Sequence, residues 1–388
     1  MEFDRVQTGL TQCCQKLPTS MRHGNVGLLM NQASVDENLR LACDVLAPVL
    51  GSRLKKLFSP QHGFWGEEQA NMIVSPHRQY KPLELPIYSL YSDTRRPTPE
   101  MLSGLDCLVI DLQDVGTRVY TFAWTMLECL YACAEAGVRV TILDRPNPLG
   151  RDTIEGPILH LQYLSFVGNS PIPMRHGLTM GELARLFVME MKISVDLQVV
   201  DVLNAYPYEG SWDRSFPWIP PSPNMPRLET VVLYPGQVLL EGTNLSEGRG
   251  TTYPFEVVGA PFLNSHALAA ELNRQNFPGV CVRPVRFRPM FDKWAGEVCE
   301  GVRLHVTDFP AVRSFELTVA ILQAVQQLAP GKFEWLEPPY EYEYERAPID
   351  ILYGSDRLRM NLTVETCESL SSCDEELWRG CMEMIKTL

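Results

Sequence analysis

At 388 residues, 45% of them hydrophobic and 21% charged, the chain is long enough for two domains or for one large domain with insertions. Its 34 basic and 47 acidic residues give a net charge of −13, which opposes unsteered binding to nucleic acid or anionic lipid, so an anionic substrate would need local arginines. The amino terminus, MEFDRVQTGLTQCCQ, has no apolar core of a secretory signal, no apolar run could span a bilayer, and the eleven cysteines form no CxxC pair; a cytoplasmic protein with reduced thiols is expected.

In chain order, the apolar run Val26–Met30 reads as a strand ending in polar Asn31, Gln32 and Ser34, and 38–47 as a helix before Pro48, with Leu39, Cys43 and Leu46 on one face. A second strand, 54–58, spills into the long loop 59–82, which opens with PQHGFWGEE. Residues 85–90 read as a third strand, Thr98-Pro99 as a helix start, and 107–110 as a fourth strand running into Asp111, Asp114, Arg118 and Tyr120. A helix over Phe122–Ala136 closes at Gly137, and 138–143 is a fifth strand ending at Asp144-Arg145-Pro-Asn147-Pro. Alternation of this kind implies βαβ units, hence an α/β fold with a parallel sheet and right-handed crossovers.

Thr179 and Glu182 have capping-box spacing before another helix, and 197–202 is a strand. Prolines forbid regular structure over 207–226, read as an ordered loop whose Trp212, Phe216 and Trp218 are too apolar to leave in water. The glycine-rich stretch 234–254 carries Glu241, Asn244, Glu247 and Arg249. Helices are expected over Ser265–Gln275, Ser314–Leu328 and Ser372–Lys386, the last with a capping box, and strands over 282–287 and 302–306. A boundary near 255 would separate a domain over 1–254 from a smaller α/β domain over 255–388. The tract EPPYEYEYER, 337–346, reads as an exposed edge or solvated loop.

The polar residues gather at strand ends, where open parallel sheets bind ligands. The loop after the second strand offers His62 as proton carrier, Gln61 as hydrogen-bond partner, and Phe64 and Trp65 as flat apolar surfaces. Asp111 and Asp114 suit acid and base work, or simply cap turns; Arg118 and Tyr120 follow closely. Asn147 lies in a rigid double-proline turn, and Arg175-His176 precede a capped helix start where an anion would be welcome. No HExxH, CxxC…CxxC, GxxxxGK[ST], GxGxxG or GxSxG is present, so no metal and no cofactor is expected, and serine-esterase chemistry loses its main support. Carboxylates, amides, arginines and aromatics together suit a carbohydrate and glycoside hydrolysis.

The motifs FSPQHGFWG, LPIYSLY, IDLQDVGTRVYTF, LDRPNPLG, PIPMRHGLTMGELA, PPSPNMP and LEGTNLSEGRGTTYPFEVVGAPF follow one another in an order that resembles the exo-β-N-acetylmuramidase family typified by NamZ. The resemblance implies a Rossmann-like N-terminal domain, a smaller C-terminal α/β domain and an active cleft between them. It also implies release of N-acetylmuramic acid (MurNAc) from the non-reducing end of peptidoglycan fragments, by hydrolysis of its β-1,4 bond to N-acetylglucosamine (GlcNAc). On that pattern Gln61, His62, Asp111, Asp114, Tyr120 and Glu241 become the catalytic set. Trp65, Arg118, Arg145, Asn147, Arg175, His176, Asn224, Asn244, Glu247 and Arg249 become the substrate contacts, with the four arginines as candidates for the muramic lactyl carboxylate. The family pattern has glutamate where this chain has Gln61, and an amide cannot carry a proton at neutral pH. Three explanations follow: an inactivating substitution; another carboxylate in its place, from among Glu67, Glu68, Asp111, Asp114, Glu155, Glu241 and Glu247, with Asp111 and Glu241 the first choices; or a catalytically silent sugar-binding protein.

Overall fold

The computed structural model describes residues 6–69, 72–204, 216–362 and 372–387. Seven strands form the larger sheet: β1 (Val26–Met30), β2 (Leu54–Ser59), β3 (Arg78–Tyr80), β4 (Leu85–Ser89), β5 (Cys107–Asp111), β6 (Arg139–Leu143) and β7 (Leu197–Val200), in the order β3-β4-β2-β1-β5-β6-β7. All neighbours are parallel except the short edge strand β3, which runs antiparallel to β4. The central strands β1 and β5 are buried along their whole length, the mark of a parallel sheet covered on both faces.

From β1 the chain goes to β2 on one side and later to β5 on the other. The topological switch point therefore lies between β1 and β5, where Met30 pairs with Asp111, and a crevice opens outside their carboxyl ends.

The second sheet is antiparallel and has three strands, β8 (Val257–Ala260), β9 (Val280–Phe287) and β10 (Cys299–Val306), in the order β8-β10-β9. Helices Leu228–Gln237 and Ser314–Leu328 cross so closely that a Cβ on Gly236 would sit 1.9 Å from the Ser314 carbonyl oxygen. One apolar cluster runs without a break from Leu29 and Phe58 of the large sheet to Val302 and Leu304 of the small one, so the two sheets share a core. A second cluster, with Leu28, Leu46 and Leu57, fills the other face of the large sheet.

Most expected elements form where the apolar periodicity places them. The N-caps are as read: the Thr98 hydroxyl accepts from Met101 N–H, and Thr179 and Glu182 form the full capping box. The helix expected over 38–47 is a correction, since it forms over Ala42–Leu50 and carries Pro48 inside its last turn. The Asp36 carboxylate accepts from the backbone N–H groups of Asn38 and Arg40, which holds Leu39 at φ 61° in a turn and keeps those residues out of the helix. Of the 207–226 loop, 207–215 with Trp212 lies outside the described residues, as does the side chain of the expected cap Ser372; Phe216 and Trp218 are at least partly buried. The nine described cysteines are free thiols.

Candidate active site

Outside the carboxyl ends of β2 and β5, loops from both parts of the chain close around one polar pocket with about 420 Å³ of empty space. From the large-sheet side come Gln61, His62, Tyr120 and Thr121, with Ser222 and Asn224 from the proline-rich loop; Tyr234, Glu241, Arg249, Tyr340 and Glu341 close the other side.

Beyond Ser59 the chain turns sharply, with His62 at φ 74° and Gly63 at φ 83°. Gln61 is buried, and the Thr121 hydroxyl donates to its Oε1 at 2.6 Å. Thr121 is the N-cap residue of helix Phe122–Ala136, so the helix start fixes which way the amide points. The amide NH₂ then lies toward Glu341, whose pKa it lowers. His62 Nδ1 donates to the Glu68 carbonyl at 2.7 Å, which leaves Nε2 as an acceptor. Burial, with Arg249 adding to it, pushes His62 down to about 4, so the expected proton carrier is a neutral ring at physiological pH.

On the opposite wall, Arg249 Nη2 donates to Glu241 Oε1 at 2.7 Å, and the same guanidinium lies 3.4 Å from Glu247, which Lys293 meets at 2.7 Å. Burial alone would lower the Arg249 pKa, but the Glu241 and Glu247 carboxylates hold it above the usual arginine range. Tyr340 O–H donates to the second oxygen of Glu241. Burial and the Glu241 charge push the hydroxyls of Tyr234 and Tyr340 well up, so both stay neutral donors.

Glu341 differs from Glu241 in having no ion-pair partner among the described residues. Burial is the main cause that pushes its carboxyl up to about 7, and the charge of Glu241 adds to it; bonds from Tyr91 and Gln61 pull the other way. Tyr91 O–H donates to its Oε2 at 3.0 Å. Glu341 and Tyr342 sit at φ 43° and 68°, and Tyr340 and Glu343 exchange backbone bonds of 2.9 Å around them. Two consecutive left-handed residues make a tight hairpin turn that normally takes Asn-Gly. Holding Glu and Tyr there costs about 1–3 kcal/mol each. The turn is clamped by Arg95, whose guanidinium lies 4.1 Å from the Tyr91 ring centre and 4.4 Å from that of Tyr342.

The tract 337–346 is therefore a correction: Tyr340 and Glu341 are wall residues of the pocket, not parts of a solvated edge. Alternation of acid and tyrosine described their chemistry correctly; only a turn type that strands a glutamate in the left-handed region reveals their direction.

Six of the residues singled out from sequence meet at the pocket: Gln61, His62, Tyr120, Asn224, Glu241 and Arg249. The others stabilise its frame. Asp111 is fully buried against Arg145, whose Nη2 also donates to the Val35 carbonyl. Arg175 pairs with Glu155 at 2.7 Å and bonds the Leu149 carbonyl. Arg118 has no carboxylate partner among the described residues; its guanidinium donates to the carbonyls of Pro157, Ile172, Leu352 and Tyr353 at 2.7–2.9 Å, tying the two halves together. Asn147 ties Leu178 and Leu149, His176 Nδ1 accepts from Leu178 N–H, and burial keeps that ring neutral, at about 3. Asn244 bonds the Lys332 carbonyl, and Trp65, 51% exposed, packs edge-on against Phe64 outside the pocket. Asp114 accepts from Gly116 N–H at 2.6 Å beneath the pocket, and burial pushes it up to about 7.

Beside the pocket runs a shallower trough with about 1070 Å³ of empty space. Gly250, next to Arg249, and Gln69, whose carbonyl accepts from Asn224 Nδ2 at 2.8 Å, connect the two; Arg283, Arg286, Arg288 and Arg303 line it.

Two family models match the chain: "Exo-beta-N-acetylmuramidase NamZ, N-terminal" over residues 26–229 and "Exo-beta-N-acetylmuramidase NamZ, C-terminal" over 232–379. The peptidoglycan β-N-acetylmuramidase NamZ of Bacillus subtilis (strain 168) is 43% identical over 332 residues, 86% of this chain and 80% of that protein. A crystal structure of a DUF1343 family protein from Bacteroides fragilis NCTC 9343 superposes with a TM-score of 0.85 at 30% identity, covering 98% of each chain. A second DUF1343 protein of that organism gives 0.71 at 27% identity, over 99% of this chain and 97% of its own.

Proposed function

Because the chain belongs to the exo-β-N-acetylmuramidase NamZ family, we propose that it is a glycoside hydrolase that frees N-acetylmuramic acid from the non-reducing end of peptidoglycan fragments by cleaving the β-1,4 bond to N-acetylglucosamine. One observation carries the reading: a single pocket holds two carboxyl groups in opposed environments, Glu241 against a guanidinium and Glu341 without a cation partner. Glycosidic cleavage needs such a division, one carboxyl that stays charged and one that keeps its proton. A silent sugar-binding site would have no use for it, and an amide at position 61 does not remove it.

Of the four arginines weighed for the lactyl carboxylate, Arg249 is the one that lines the pocket, so it is assigned that contact. The arginine-lined trough gives the carboxylate-bearing remainder of a fragment a place outside it. Free thiols at all nine described cysteines favour a cytoplasmic place in cell-wall recycling.

A panel of fragments tests the function. Free MurNAc is expected from fragments that begin with MurNAc, and none from those capped by GlcNAc. Release of internal fragments, or cleavage of GlcNAc-capped chains, would contradict it.

A further inference from the structure

Once the sugar is in place, one atom has to deliver a proton to the leaving oxygen, and the pocket wall offers few sources. Gln61 has an amide, which holds no acidic proton. His62 spends Nδ1–H on the Glu68 carbonyl and stays neutral at Nε2. Both carboxylate oxygens of Glu241 are engaged, one by Arg249 and the other by the Tyr340 hydroxyl. The tyrosines Tyr234 and Tyr340 hold their protons too tightly to release them near neutrality.

We propose that Glu341 is the catalytic proton donor, carried into the pocket on the strained Tyr340–Glu343 turn, and that Gln61 is its positioning residue. This assignment rests on the hydrolase reading above. Three independent features of the geometry converge on it. The carboxyl is buried on the pocket wall. Its turn places two non-glycine residues in the left-handed region, a conformation that survives only where surroundings enforce it, and Arg95 between Tyr91 and Tyr342 enforces it. The Thr121 hydroxyl also turns the Gln61 amide so that its NH₂ end meets Glu341.

Groups from every side set the proton's affinity. Burial and Glu241 favour the acid form. Gln61, Tyr91 and the more distant Arg249 favour the carboxylate, and the balance falls at about 7. Tyr340 and Tyr234 complete the surroundings as neutral hydroxyls. An acid poised near the working pH is what proton transfer to a leaving group requires.

In the reaction the Glu341 proton passes to the glycosidic oxygen as the C1–O bond breaks. The bond's electron pair stays with that oxygen, which leaves as the GlcNAc hydroxyl. Water then adds its oxygen to C1, and its proton returns to Glu341. Charge develops at C1 facing Glu241, whose carboxylate Arg249 and Tyr340 hold in place.

The test uses two substrates that differ in how much they need an acid: the MurNAc-GlcNAc disaccharide, with a poor leaving group, and nitrophenyl β-N-acetylmuramide, with a good one. Glu341→Gln is expected to lower kcat on the disaccharide about 10²- to 10⁴-fold. On the nitrophenyl substrate it should cost less than about tenfold, and the alkaline limb near pH 7 should vanish. Tyr91→Phe, which removes a donor to the carboxylate, should move that limb upward. Circular dichroism and the melting temperature of each variant report folding. Equal losses on both substrates with the limb intact would make Glu341 structural, and full disaccharide turnover by Glu341→Gln would also overturn the proposal. A wild-type chain that frees sugar from neither substrate would instead overturn the hydrolase reading beneath it.

Discussion

The Gln61 amide turns its NH₂ toward Glu341, where it lowers the carboxyl's pKa, while the Thr121 hydroxyl, 2.6 Å from Oε1, fixes the amide's other end. An oriented donor of this kind can be shifted by single substitutions. Thr121→Val removes the hydroxyl and lets the amide rotate, so an oxygen can face Glu341. Loss of the NH₂ from beside the carboxyl raises the Glu341 pKa, and repulsion between oxygens adds to it. The alkaline limb of kcat should therefore move above pH 7, and a pH–rate profile with the nitrophenyl substrate's slower aryl analogues would show it.

Asp114 tests the electrostatics of the frame. Burial raises its carboxyl from 3.8 to about 7, so the folded chain binds that proton more tightly than the unfolded chain does. Its contribution to stability is full below pH 3.8 and is lost as pH rises through about 7. Asp114→Asn keeps an acceptor for Gly116 N–H and never has to ionise. Its melting temperature relative to wild type should be more favourable at pH 8 than at pH 4, and the reverse order would show the carboxyl to be stabilised as an anion.

Arg118 and Arg249 were equal candidates on sequence, and the structure gives them different work. Arg118→Met removes its bonds to four carbonyl oxygens, which should cost about 3 kcal/mol or more of stability. Arg249→Met should instead raise KM for muramic substrates and also lower kcat, because Glu241 loses the guanidinium that holds it, with a stability loss from buried carboxylates deprived of that cation. Urea titration and steady-state kinetics on both variants would separate the two roles.

The trough makes a separable prediction. Arg288 is exposed at its rim, so Arg288→Glu should leave the fold and the nitrophenyl substrate unaffected. It should raise KM about three- to tenfold for fragments that carry several carboxylates, an effect that salt reduces.

Much of the fold could be read from the chain because local rules and burial agree there. Apolar runs at β1 and β5, caps at Thr98 and Thr179, and Gly137 in the left-handed region each point to the element observed. The helix at Ala42–Leu50 was shifted because Asp36 captures two backbone N–H groups, a local competition that periodicity does not register. Strand β3 was missed because three residues at a sheet edge carry no pattern. At the site, strand-end loops gave Gln61, His62 and Arg249, but they could not separate pocket walls from buried ion pairs such as Arg145 with Asp111. Glu341 was invisible for a different reason: its position depends on a turn from the far end of the chain, and on Tyr91 and Arg95 to hold it.

The central claim is that this chain, with glutamine at position 61, is a working hydrolase. Release of MurNAc from the MurNAc-GlcNAc disaccharide, measured side by side for the chain as it stands and for Gln61→Glu, tests it most directly. The account predicts steady turnover by the unaltered chain, within about tenfold of the variant, because an acid at position 61 would be worth about 10²-fold or more only if no other group supplied the proton. Turnover by Gln61→Glu alone, with the unaltered chain folded but silent, would contradict it.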